Sequence, residues 1–139
     1  MNRALLDTDM LSEILKGVDK RVAANATAYR AEHRRYSISA VTVMEVVKGL
    51  HRIGAKRRLR QFIAGLPDME LLPFDTATAE LAGRIYGDLE RIGQTIGRAD
   101  PQIAATALRQ GMALVTGNIA HYERIRALGY GLVIENWRD

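Results

Sequence analysis

The sequence contains no cysteine. This excludes a disulfide-stapled scaffold, a thiolate-bound zinc or iron–sulfur centre, and thiol catalysis. It also has no apolar run near the roughly 20 residues needed to span a bilayer. The stretch from Met1 to Leu6 is too short for a signal peptide before the polar step Asp7-Thr8-Asp9. These absences predict a cytoplasmic protein with no membrane contact. Internal repeats, low-complexity tracts and Pro/Gly/Ser linkers are missing as well. With 139 residues, 47% hydrophobic and 26% charged, the chain predicts a single domain over residues 1–139, with one modest core and no room for a separate cofactor domain.

One further absence is local. No acidic residue occurs between Glu45 and Asp68, while Lys48, Arg52, Lys56, Arg57, Arg58 and Arg60 all fall there, with His51 among them. The net charge of +4 is modest, but a one-sign stretch like this can hold phosphates by sequence-independent attraction. A solvated helix face, or a surface that meets an acidic protein, fits the same pattern.

What is present is an alternation of short apolar runs and longer segments of helical period. Ala4-Leu5-Leu6 reads as a first strand ending at Asp7. Thr8 is placed to cap a helix carrying Leu11, Ile14 and Leu15 and stopped by Gly17. Helices are expected over about 22–33, 40–53 and 56–64. A second strand is expected at Tyr36 to Ser39 and a third at Glu70 to Leu72. Asp75 caps a long helix with Leu81, Ile85, Leu89 and Ile92 in register. Asp100-Pro101 opens another, with Asp at the cap and Pro at the first helical position. Ala113 to Thr116 is a fourth strand, Ile119 to Leu128 a short helix, and Leu132 to Ile134 a last strand. Strands separated by helices predict an α/β fold, a three-layer helix–sheet–helix sandwich on a mostly parallel sheet of about five strands.

In such sheets ligands sit outside the carboxyl ends of the strands. Asp7 follows the first strand, Asn118 follows the fourth across Thr116-Gly117, and Asp100 stands at a helix start after Gly97-Arg98-Ala99. Carboxylates gathered at one edge raise each other's pKa unless a cation is shared. Oxygen donors without Cys favour Mg²⁺ or Mn²⁺ over zinc. Such an ion can activate water against a phosphodiester, and with the basic strip this points to hydrolysis of a nucleic-acid backbone. Plainer roles fit the same residues. Asp100 and Asp75 suit helix caps, and Asp9 suits the first turn of a helix. Glu45 fits a solvated pair with Lys48, and His33, His51 and His121 fit surface or packing positions.

The block Leu5-Leu6-Asp7-Thr8-Asp9-Met10-Leu11-Ser12-Glu13 resembles the opening of PIN-domain proteins, in particular VapC-like toxins of bacterial type II toxin–antitoxin modules. The likeness continues through Ser39-Ala40-Val41-Thr42-Val43-Met44-Glu45-Val46-Val47-Lys48-Gly49 and Leu72-Pro73-Phe74-Asp75. It resumes at Ile96-Gly97-Arg98-Ala99-Asp100 with Ile103-Ala104-Ala105-Thr106-Ala107, and closes through Leu114-Val115-Thr116-Gly117-Asn118, His121-Tyr122 and Glu135-Asn136-Trp137. The resemblance implies a PIN-like fold, an endoribonuclease dependent on Mg²⁺ or Mn²⁺, an RNA substrate, a homodimer, and a cognate antitoxin that blocks the site in a toxin–antitoxin hetero-oligomer. By position, Asp7 and Asp100 match the family's metal ligands, and Glu45 a ligand or the group that orients the attacking water. Asn118 stands where many PIN domains carry a fourth acid, and Asp9 where the family usually has Asn. An amide ligates through its carbonyl oxygen or through water without adding charge, so one well-occupied ion is expected.

Two other readings fit parts of the chain. The run into Asp7-Thr8-Asp9 also resembles the nucleophile motif of haloacid-dehalogenase phosphatases, but the Gly-Thr expected after the second Asp and a convincing Lys motif are missing. A non-catalytic RNA- or protein-binding PIN-like module would use the basic strip alone, and the retained Asp7, Glu45 and Asp100 argue against it. No helix-turn-helix or zinc-finger pattern supports direct reading of DNA.

Overall fold

Five short apolar runs form the strands: β1 Ala4–Leu6, β2 Ser37–Ser39, β3 Glu70–Leu72, β4 Ala113–Val115 and β5 Ile134–Glu135. Between them run helices α1 Thr8–Lys16, α2 Lys20–His33, α3 Ala40–Arg52, α4 Lys56–Gly65, α5 Thr76–Arg91, α6 Asp100–Gln110 and α7 Ile119–Ala127. The structure, a computed structural model, describes all residues 1–139. The strands make one sheet in the order β3-β2-β1-β4-β5, every neighbouring pair parallel. The α/β fold with a parallel five-stranded sheet expected from the pattern of elements is therefore observed.

Successive residues of a strand point to opposite faces, and each face builds its own core. Leu5 and Leu114 join Ile85, Leu89, Ile103, Tyr122 and Ile125 under α5, α6 and α7. Ala4, Leu6, Ala113 and Val115 join Met10, Leu11, Val22, Tyr29, Phe62 and Trp137 under α1, α2 and α4. Leu5, Leu6 and Leu114 are fully buried, so truncating any of them to Ala costs about 2–5 kcal/mol. No helix is long and apolar enough to cross a membrane.

Two helix starts differ from expectation. Asp7, not Thr8, is the N-cap of α1, with its Oδ1 accepting the Met10 N–H at 2.7 Å. The chain leaves α1 through Gly17 at φ +67°, a left-handed turn that a side chain would strain. At α6 the cap position is Ala99, and Asp100 is already helical without making a side-chain cap bond. Its carboxylate is thereby free to bond across to α7. Asp75 does cap α5, accepting from Thr78 N–H and hydroxyl. The last strand also lies further along than Leu132 to Ile134: Leu132 turns into the core, and β5 pairs Ile134 with Leu114 and Glu135 with Val115.

At the amino ends of the strands, polar residues are paired. Arg3 binds Glu70 at 2.5 Å, Ser37 donates to Glu70 at 2.6 Å, and the Met1 amine meets Glu32 at 2.7 Å. Arg3, Tyr29, His33, Arg35, Ser37 and Glu70 line a small cavity of about 80 Å³ there.

Candidate active site

Proceeding from β1, the chain steps outward through β2 and β3 on one side and through β4 and β5 on the other. The reversal falls between β1 and β4. Ligands of open α/β sheets bind in the crevice beyond the carboxyl ends at such a reversal. Register pairs Leu6 with Val115, so the next residues, Asp7 and Thr116, lie side by side at that point.

Asp7 is 3% exposed. Its Oδ1 holds the Met10 N–H, and its Oδ2 accepts the Thr116 hydroxyl at 2.5 Å. Thr116 Oγ1 in turn accepts the Asn118 N–H at 2.8 Å, so one hydroxyl ties the end of β4 to the carboxylate that ends β1. Burial pushes the Asp7 carboxyl from 3.8 up to about 6. The bonds from Thr116 and Met10 oppose this, and the negative charges of Asp9 and Asp100 add to it.

Glu45 lies on the second turn of α3, whose start is fixed by buried Ser39 accepting from Val41 and Thr42 N–H. The Thr8 hydroxyl, next to Asp7 in the chain, donates to Glu45 Oε1 at 2.5 Å and lies 3.1 Å from Thr42 Oγ1. No pair between Glu45 and Lys48 is formed. Asp100 reaches across to α7, its Oδ2 3.0 Å from His121 Nδ1 and its Oδ1 accepting the Tyr122 hydroxyl at 3.2 Å. Gly97 passes close by, and a Cβ there would stand 3.1 Å from Asp100 Oδ2. Asn118 precedes α7 half-buried and makes no side-chain cap bond.

Tyr122 feels the charge of all three acids. Its phenol, raised well above its usual pKa first by burial, also feels the negative charges of Asp100, Asp7 and Glu45. Of the three acids singled out in the sequence, Asp100 on α6 bonds this buried phenol, while Asp7 after β1 and Glu45 on α3 act on it through charge alone. Thr8, Thr116, His121 and Tyr122 were missed as members of this arrangement. A surface or packing role for His121 does not describe its bond to Asp100. Thr116 carried a signal, a polar residue directly after an apolar strand, but only the β1–β4 pairing gives it meaning.

No three Asp, Glu or His side chains converge in a ready-made metal cage. The donor chemistry nevertheless fits a hard divalent cation. Asp7 and Glu45 take part in no ion pair, and Asp100 meets only His121. The Asp7 carboxyl is raised chiefly by burial, with the charges of Asp9 and Asp100 adding to it and no cation opposing them.

Comparison with known proteins defines the class. Residues 4–127 match the PIN domain. The chain is 30% identical over 138 residues to the tRNA(fMet)-specific endonuclease VapC of Salmonella typhimurium, covering 99% of each, and 29% identical over the same span to that of Shigella flexneri. It superposes on the crystal structure of DNA-bound VapBC from Salmonella typhimurium with a TM-score of 0.82 and 29% identity, over 99% of each chain. The chain belongs to the PIN-domain family, within its VapC group.

Proposed function

We propose that this chain is the endoribonuclease toxin of a toxin–antitoxin pair, residues 1–139 acting as one domain in the cytoplasm. In this reading it cuts RNA phosphodiester bonds at the carboxyl edge of its sheet. The observation that carries the reading is buried Asp7 at the β1–β4 crevice, bonded to Thr116 and Met10, with neither it nor Glu45 nor Asp100 paired to a Lys or Arg. The VapC names of its relatives supply the chemistry, and the VapBC complexes among its structural neighbours supply the antitoxin partner. Initiator tRNA, named for those relatives, is the first substrate to test.

Asp7 and Asp100, with Glu45 and the Asn118 carbonyl beside them, would hold Mg²⁺ or Mn²⁺. Bound there, such an ion supplies water activation and stabilises charge developing on the scissile phosphate. The protein's own groups set the geometry. Thr116 fixes one oxygen of Asp7 and the Met10 N–H the other, so this carboxylate is held as a ligand rather than freed as a nucleophile. Thr8 directs Glu45, in the role of ligand or water-orienting base. Tyr122, kept protonated by its surroundings, donates to Asp100, and His121 takes the other oxygen.

The test is cleavage of initiator tRNA by antitoxin-free protein with Mg²⁺, Mn²⁺ or EDTA, beside Asp7→Asn and Asp100→Asn. Metal-dependent cleavage lost in both folded variants is expected. Cleavage unchanged in the variants would remove this site from the reaction.

A further inference from the structure

Fifteen of the twenty Lys and Arg side chains are in no ion pair, and six of those fifteen lie together on one surface. Arg3, Arg84, Arg91, Arg126 and Arg138 each bind a carboxylate. Lys48, Arg52, Lys56, Arg57, Arg58 and Arg60 are all exposed, and none is in an ion pair. The strip begins at the active site. Glu45, Lys48 and Arg52 stand at i, i+3 and i+7 on α3, one face of a helix. Beyond the turn at Gly54, the strip continues into an open depression of about 680 Å³ walled by Gly54, Ala55, Lys56, Arg57, Arg58, Arg60 and Gln61.

These charges do not serve the fold. Lys56, Arg57 and Arg58 occupy the first turn of α4, which has no acidic residue and no side-chain cap. Cations at that end oppose the helix dipole, each by about 0.3–1 kcal/mol at low salt. Their like charges repel one another as well. A polyanion laid across them would relieve both effects. The wall of the depression has Ala55 as its only apolar residue. That suits phosphates, which need charge alone, better than a protein partner, whose interface core excludes charge in favour of aromatic and apolar anchors.

We propose that this α3–α4 strip grips the phosphates of the RNA substrate away from the bond that is cut, setting affinity while the carboxylates set the chemistry. The proposal rests on the nuclease reading for what the RNA is held for. It is tested with labelled initiator tRNA in EDTA, where binding is read without cleavage, across a range of salt. The protein is the full chain with Lys56, Arg57, Arg58 and Arg60 all changed to Gln, and Arg84→Gln/Arg91→Gln on α5 serves as control. The expected result is about 30-fold weaker binding at low salt and a salt slope smaller by about 2 to 3, at about 0.7 per lost phosphate contact. With Mn²⁺ present, KM rises at least tenfold while kcat stays within about twofold, and the control is unchanged. Unaltered affinity and slope in the quadruple variant would overturn the proposal. Tight binding of poly-L-glutamate that the same substitutions abolish, with tRNA affinity unmoved, would overturn it in favour of an acidic protein partner. If the wild-type protein cuts no RNA yet the variant still loses affinity, the grip stands and the nuclease reading alone fails.

Discussion

The two ends of one sheet treat carboxylates in opposite ways. At the amino end, Glu70 is held by Arg3 and Ser37, and Glu32 by the Met1 amine. Both acids are shifted below their usual pKa, chiefly by those hydrogen bonds. At the carboxyl end, Asp7 is nearly as buried as the core and meets hydroxyl and amide donors but no cation. Burial and the neighbouring acids raise it to about 6. The same fold therefore balances negative charge where the charge only joins elements together, and leaves it unbalanced at the crevice between β1 and β4. An unbalanced acidic cluster lowers the stability of the empty protein and gives a divalent cation something to repay.

The sharpest way to break this contrast is to remove charge at the carboxyl end. Asp100→Asn, Asp7→Asn and Glu45→Gln are each expected to lower metal-dependent RNA cleavage by about 10²- to 10³-fold, a transition-state loss of about 3–4 kcal/mol. Circular dichroism should remain native. Measured rates within tenfold of wild type for all three would put the chemistry elsewhere.

The next effect is on stability and has a definite sign. In metal-free buffer the folded protein holds the Asp7 proton more tightly than the unfolded chain does, because the carboxyl rises from 3.8 to about 6 on folding. The folded state thus binds more protons between those values. Stability tied to Asp7 is fully present below about pH 4 and is lost as pH rises through 6, by about 3 kcal/mol. Asp7→Asn keeps the cap through its carbonyl oxygen and turns its amide toward Thr116, whose hydroxyl then accepts. In thermal melts it should be about 1–3 kcal/mol more stable than wild type at pH 7.5 and equal to it near pH 4. A variant less stable than wild type at pH 7.5 would show that Asp7 is balanced after all.

Thr116→Val tests the tie between β4 and Asp7. Its hydroxyl lowers the Asp7 pKa, so its loss should move the acidic limb of the pH–rate profile to higher pH and reduce cleavage at neutral pH by about tenfold. Thr116→Ser should restore both. The smallest effect is expected at the other end. Glu70→Gln breaks the bonds to Arg3 and Ser37 at a part-exposed site and should cost no more than about 1 kcal/mol, with cleavage unchanged.

The acids of the carboxyl end are readable in the chain, the pairing at the amino end is not, and the unreadable parts share a cause. The strands Ala4–Leu6 and Glu70–Leu72 stand out because short apolar runs end abruptly in polar residues. The parallel α/β class follows from helices lying between the strands. Asp7 drew attention for its place after a strand, and Asp75 for its place before a helix. What a linear reading lacked was the spatial order β3-β2-β1-β4-β5. Without it, Thr116 could not be set beside Asp7, nor His121 and Tyr122 against Asp100 some twenty residues earlier. Local propensity also misassigned the caps. Thr8 and Asp100 both suit the N-cap, yet Asp7 caps α1 and Ala99 precedes α6. Thr8 instead supports Glu45, and Asp100 bonds α7. The residues next to the site are those whose cap preferences are overridden by contacts made across the fold.

Asp7, Glu45 and Asp100 have no Lys or Arg partner and are expected to take a divalent cation. Calorimetric titration of the antitoxin-free protein with Mn²⁺ near pH 6, in two buffers of different ionisation heat, tests this most directly. The account predicts one well-occupied ion per chain, proton release as it binds, and loss of binding in Asp7→Asn and Asp100→Asn. Equal Mn²⁺ binding by wild type and both variants, or none by wild type at millimolar metal, would contradict it.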